Sequence, residues 1–142
     1  MQVKQVSVFL ENKTGRLNEV TKILGDAGIN ISAFSVADTS DFGVLRMIVD
    51  NPDKASQVLK ENSFSVRTTD VVLVNSPNKP GALYRMLNIL STEGVFIEYL
   101  YAFSMNNETA VIVIRPANME KCLKTLDKHK DQIISSNEHY KI

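Results

Sequence analysis

Two short segments carry the side chains best suited to holding a small molecule. Asn12-Lys13-Thr14-Gly15-Arg16-Leu17 and Asn78-Lys79-Pro80-Gly81-Ala82-Leu83 each place an asparagine amide just before a glycine. An amide donates and accepts hydrogen bonds at once, and a glycine lets the backbone approach a ligand closely. A helix opening straight after that glycine presents free N–H groups and a positive end, which suits a carboxylate. A molecule carrying both an ammonium and a carboxylate needs this mixture. The same residues can also serve turn geometry alone. Other chemistry has little support. His129 and His139 lie ten residues apart in polar surroundings and read as surface residues. Cys122 falls on the apolar stripe of a helical pattern and reads as a buried, inert thiol. No phosphate loop, nucleotide-binding Gly-x-Gly-x-x-Gly or His-Glu-x-x-His occurs. Neither catalysis, a cofactor nor a metal site is expected.

The two segments are 66 positions apart, and so is much else. Val6 falls on Val72, Leu17 on Leu83, Ile23-Leu24 on Ile89-Leu90, Gly28 on Gly94 and Ile31 on Ile97. Ile48 falls on Ile114 in the same frame, and a slip of one residue is placed after Val49. Such a register identifies two copies of one unit. In the first copy, Val3 to Leu10 alternates as a strand. Arg16 to Ala27 puts Leu17, Val20, Leu24 and Ala27 at helical spacing, and Gly28 suits a helix C-terminus. Ile29 to Val36 and Gly43 to Val49 read as strands, with a turn at Thr39-Ser40-Asp41 between them. Asn51-Pro52 caps a helix running to about Glu61, and Ser65 to Thr69 is a fourth strand. The plan is β-α-β-β-α-β, the ferredoxin-like arrangement, giving an α+β fold. The second copy repeats it with strands at Val71–Asn75, Val95–Ala102 and Thr109–Arg115 and helices at Ala82–Glu93 and after Asn118. Its last strand is expected at Gln132–Ser136. The domains expected are 1–69 and 70–142, antiparallel sheets with helices on one face, paired side by side through edge strands.

A strand, then Asn-Lys-x-Gly-x-Leu opening a helix, then Gly-Ile-Asn-Ile entering a strand, resembles the ACT domain. Asn12 to Leu17 with Gly28-Ile29-Asn30-Ile31-Ser32 carry the first copy, and Asn78 to Leu83 with Gly94-Val95-Phe96-Ile97 the second. The resemblance covers nearly the whole chain. It implies regulatory binding of a small ligand, most often an amino acid, and no catalysis. It also implies that the ligand lies between the first loop of one unit and the second strand of the other. One site would combine Asn78, Pro80 and Gly81 with Asn30 and Ser32. The other would combine Asn12, Thr14 and Gly15 with Phe96 and Glu98, and Leu17 and Leu83 complete the candidate set. Phe96 departs from the family pattern, where an asparagine is expected, and Glu98 repels a carboxylate unless it faces a cation. The two sites are therefore expected to be unequal.

Composition narrows the rest. Sixteen Lys and Arg balance sixteen Asp and Glu, so the basic excess typical of nucleic-acid binders is missing. The ferredoxin-like plan also hosts RNA-binding modules, which stack bases on strand aromatics. The solvent-side positions here are read as Gln5, Ser7, Phe9, Val44, Arg46 and Ile48, which is no stacking platform. Tyr99 and Tyr101 read as packing or pocket residues. No apolar run reaches the roughly 18 residues of a membrane span. The start, Met1-Gln2-Val3-Lys4, runs straight into a strand pattern, so no leader and a cytoplasmic location are expected. A ligand-free oligomerisation scaffold is the rival function. In the second unit Ala110, Ile112 and Ile114 oppose Val111 and Val113, so both faces are apolar. An uncovered apolar face predicts a homodimer through that unit, with Ile112 on the exposed side.

Overall fold

Alternation and helical spacing become strands and helices close to where the sequence places them. The computed structural model describes residues 1–11, 13–38, 41–104 and 106–133. Along the chain run β1 (Gln2–Glu11), α1 (Arg16–Asp26), β2 (Ile31–Asp38), β3 (Phe42–Val49), α2 (Pro52–Glu61) and β4 (Ser65–Pro77). Then follow α3 (Ala82–Thr92), β5 (Ile97–Ser104), β6 (Thr109–Pro116), α4 (Met119–Lys128) and the single turn α5 (Lys130–Ile133). The fold is α+β with six antiparallel strands, two ferredoxin-like units in tandem. Among the described residues Lys4–Thr69 form one compact unit, and Met1–Val3 with residues 70–133 form the other.

In the first unit β3 lies between β2 and β1. The inward residues of β1 and β3, Val6, Val8, Leu10, Leu45 and Met47, pack with Val20 and Leu24 of α1 and Leu59 of α2. Burying each such side chain stabilises the unit by about 1.5–3 kcal/mol. In the second unit β6 lies between β5 and β4. Val72, Val74, Ile112 and Ile114 pack with Met86, Leu90, Cys122 and Leu126.

The repeat holds at the level of single hydrogen bonds. Ala27 N donates to Ile23 O at 3.1 Å, and Glu93 N to Ile89 O at 3.1 Å. Ile29 N reaches Leu24 O at 2.9 Å, and Val95 N reaches Leu90 O at 2.8 Å. Both units break strand register at the same place, between Ile31 and Ala33 and between Ile97 and Tyr99. Asn51 Oδ1 accepts from Lys54 N at 3.1 Å, and Asn118 Oδ1 from Lys121 N at 3.0 Å, so α2 and α4 are both capped.

Four expectations are corrected. The one-residue slip lies in the hairpin turn, not after Val49. Val6 pairs with Met47 where Val72 pairs with Ile114, so Ile114 matches Met47 rather than Ile48. Four residues separate the paired Asp38 and Gly43, and five separate the paired Ser104 and Ala110. A turn absorbs an extra residue, whereas a slip within a strand would move every side chain to the other face. Next, the fourth strand expected at Gln132–Ser136 is not formed at its start, because Gln132 and Ile133 are helical, while residues 134–136 lie outside the described residues. The place beside β4 is taken by the N-terminus: the Met1 ammonium donates to Leu73 O at 3.0 Å, and Leu73 N to Met1 O at 2.8 Å. This pairing satisfies backbone groups that an edge strand would leave open. Third, Ile112 points into the helix-covered core, and the opposite face, Val71, Leu73, Val111 and Val113, is already buried in the single chain. The apolar face that motivated a dimer through this unit is therefore not open. Fourth, of the positions read as solvent-facing, Gln5, Ser7 and Ile48 are buried.

Candidate functional site

The loop into α1 begins where β1 ends at Glu11. Asn12 lies outside the described residues. Lys13 N donates to Glu11 O at 2.8 Å and Arg16 N to Lys13 O at 3.3 Å, which winds the loop into the helix. Gly15 takes φ +91°, a left-handed conformation that costs a side-chain-bearing residue strain. The second unit repeats this geometry: Ala82 N reaches Lys79 O at 3.2 Å, and Gly81 takes φ +86°. No side chain caps α1 or α3. The contrast with capped α2 and α4 is specific, since the uncapped helices are the two that start at the candidate loops. Their first-turn N–H groups suit an anionic group.

Asn78 is exposed; its backbone N–H donates to Glu108 O at 2.7 Å. Asn30 is exposed just before β2, its backbone N–H held by Asp50 Oδ1 at 3.1 Å. Among the described residues neither asparagine amide is engaged in a side-chain hydrogen bond. Pro80 is exposed, Ser32 is half-buried at the β2 bulge, and Leu17 and Leu83 are both exposed leucines. Phe96 is 70% exposed.

Within the first unit, Thr14 and Leu17 line an open cleft of about 320 Å³ with Lys13, Arg16, Val36 and Asp38. Arg16, Val36 and Asp38 were not singled out from the sequence. Arg16 stands at the first helical position, where a cation opposes the helix dipole, and that was the available signal. Arg16 is held by Glu19 at 3.1 Å and Glu11 at 3.6 Å. Glu11 is kept below the usual carboxylate range first by the Lys13 hydrogen bond and then by the charges of Lys13 and Arg16. In the second unit Glu98 is not an uncompensated anion. Arg115 Nε lies 3.3 Å from its Oε2, while Arg115 Nη1 donates to Asp70 O at 2.8 Å.

The groups set aside from the sequence can be placed too. Cys122 is fully buried, and desolvation pushes its thiol pKa up, so it is a poor nucleophile. His129 is half-buried against Glu93 at 3.1 Å rather than a plain surface residue; His139 lies outside the described residues. Among the described residues no three His, Cys, Asp or Glu side chains cluster as a metal site requires. No helix among them is long and apolar enough to cross a membrane.

Two ferredoxin-like units, each with a left-handed glycine opening its first helix, define a tandem α+β module. The chain belongs to the ACT domain pair family, whose model spans residues 1–142. It is 55% identical to protein BT0572 from Bacteroides thetaiotaomicron, covering 92% of this chain and 90% of that one, with a TM-score of 0.88. The regulatory subunit of aspartate kinase from Thermus thermophilus shares the fold at 14% identity and a TM-score of 0.64, covering 88% of this chain and 91% of that one. The aspartate kinase of Clostridium acetobutylicum shares it at 16% identity and a TM-score of 0.55; 92% of this chain covers 34% of that enzyme. No curated protein sequence matches the chain.

Proposed function

We propose that this protein is a non-enzymatic regulatory module of the cytoplasm that binds an amino acid. The observation that carries the reading is the pair of uncapped helix starts on left-handed glycines, in a molecule whose other two long helices are capped by asparagine. Family membership supports it. Asn30 and Asn78, with open amides, are the residues we propose to contact the ligand, supported by Ser32, Pro80, Gly81 and Leu83. The set of Asn12, Thr14, Gly15, Leu17 and Glu98 is the weaker one, because Arg115 already occupies Glu98 and Phe96 replaces an amide.

A thermal-shift screen of the twenty amino acids tests this. A ligand at a hundredfold excess over Kd adds about 2.7 kcal/mol of stability. Asn30→Ala or Asn78→Ala should weaken binding roughly ten- to a hundredfold, the loss of one hydrogen bond to a charged group. Asn12→Ala should matter less, and calorimetry should give nearer one strong site per chain than two. No shift with any amino acid at millimolar concentration would leave the second reading, an interaction scaffold. One observation favours that reading: Phe34 and Val36 of β2 stand 68% and 49% exposed.

A further inference from the structure

A second and larger opening lies wholly within the first unit, with a volume of about 500 Å³. Phe9, Phe42 and Phe64 are its apolar lining, and Arg16 and Glu11 its charged lining. Phe9 and Phe42 are 41% and 54% exposed. Glu11 pairs with Phe42 across the β1–β3 ladder and Phe9 with Val44, so Phe9 and Phe42 are diagonal neighbours on one face. Two adjacent aromatic side chains, both solvent-exposed beside a charge pair, mark a contact surface rather than scattered surface apolarity.

The Ser63–Phe64 part of the lining is built at some cost. Ser63 closes α2 with φ +66°, the only non-glycine residue with positive φ among the described residues. Ser63 N donates to Lys60 O and Phe64 N to Leu59 O, both at 3.0 Å, which turns the chain and brings Phe64 to the cleft. Glycine takes this conformation without strain; serine instead adds a hydroxyl to the lining. Among the described residues that hydroxyl is not engaged in a hydrogen bond.

The second unit supplies the internal control. At the ladder position of Glu11 and Phe42 it has Pro77 and Thr109. At those of Phe9 and Arg16 it has Asn75 and Ala82. Asn75, Ala82 and Thr109 are all buried. One backbone plan therefore carries an aromatic, charged cleft in one copy and a closed surface in the other.

We infer that this cleft, which shares Glu11 and Arg16 with the Thr14–Leu17 cleft but includes neither Asn30 nor Asn78, is a second binding site for an α-amino acid with an aromatic side chain. The ring lies on Phe9 and Phe42 in offset or edge contact. The carboxylate meets Arg16, whose planar fork suits it, and the ammonium meets Glu11. The carboxylate takes the place of Glu11 on the loose 3.6 Å edge of Arg16.

The test is NMR titration of the full chain with L-phenylalanine, using L-alanine and 3-phenylpropanoate as controls. L-Phenylalanine should give saturable shifts at the amides of residues 9, 42 and 62–65, and L-alanine none there. Phe42→Ala, at an exposed position, should weaken this binding at least about tenfold, and Arg16→Gln similarly, whereas Asn30→Ala and Asn78→Ala should leave it within about twofold. 3-Phenylpropanoate, lacking the ammonium, should bind more weakly than L-phenylalanine. Absence of saturation at roughly 10 mM, or full binding by Phe42→Ala, would overturn the site. Loss of the cleft signals in Asn30→Ala would overturn its separateness, and equal affinity for 3-phenylpropanoate would overturn the role of Glu11. Failure of the loop asparagine variants to affect any other amino acid bears on the loops alone, so the two readings fail separately.

Discussion

Glu11 faces Phe42 across the ladder of the first unit, and Pro77 faces Thr109 at the same place in the second. Yet the glycines at either end of the first helix differ little between units. Gly15 and Gly81 take φ +91° and +86°, and Gly28 and Gly94 take +73° and +75°. The difference separates two kinds of position. Residues that shape the backbone or fill the core are held in common, because a wrong one there costs the fold. Residues on the outer face and loop rims have diverged, because the fold does not depend on them. Divergence between copies is thus a map of where each unit does something of its own.

The comparison breaks most visibly if matched core positions prove unequal. Leu24 and Leu90 are both fully buried and occupy the same place in α1 and α3. Leu24→Ala and Leu90→Ala should each destabilise by about 2–5 kcal/mol, measured as a fall in denaturant midpoint. A much smaller loss for one would show that its unit is loosely packed. The helix-start glycines give a finer test. An added Cβ meets nothing within 4 Å at Gly15 or Gly81, so Gly→Ala there costs conformation alone, about 1–2 kcal/mol in each unit. Gly94→Ala should cost about as much as Gly28→Ala, since the one atom within 3 Å of the new Cβ at Gly94 is Lys121 Nζ, the tip of an exposed, flexible side chain that can move aside.

The smallest expected effect belongs to a feature of the second unit alone. Glu93 accepts from Lys128 at 2.8 Å and His129 at 3.1 Å, and its counterpart in the first unit is Ala27. The Lys128 hydrogen bond, then that of His129, holds Glu93 below the usual glutamate range. A carboxylate depressed in the folded state binds more protons when unfolded. Its contribution is therefore present above the ordinary carboxylate range, near pH 4, and is lost as pH falls through the lower folded value. Glu93→Gln should lower Tm slightly at pH 7 and not at pH about 3. An equal drop at both pH values would assign the effect to packing.

Much of this was legible beforehand. The two-unit plan follows from the 66-position repeat, and the glycine-opened and asparagine-capped helices and the inward faces of α1 and α3 follow from residues within four positions of each other. The candidate loops were legible for the same reason. Arg115 beside Glu98 was not, because it arrives from another strand 17 residues away. Nor was the cleft, whose wall joins β1, β3 and the end of α2.

What the amino-acid order determined by itself is of two kinds: turn chemistry, caps and helix period are short-range properties of the backbone and hold in any context, and the 66-residue repeat is a match between segments that needs no partner to be seen. Tertiary structure decided which side of a strand is covered and which strand pairs with which. Val111 to Ile114 is apolar at every position, so a period of two cannot choose between faces; packing put Ile112 and Ile114 under the helices. Register likewise depends on a partner distant in sequence, which is why the extra residue falls between β5 and β6 rather than within a strand and why Met1, rather than a late strand, completes the edge of β4.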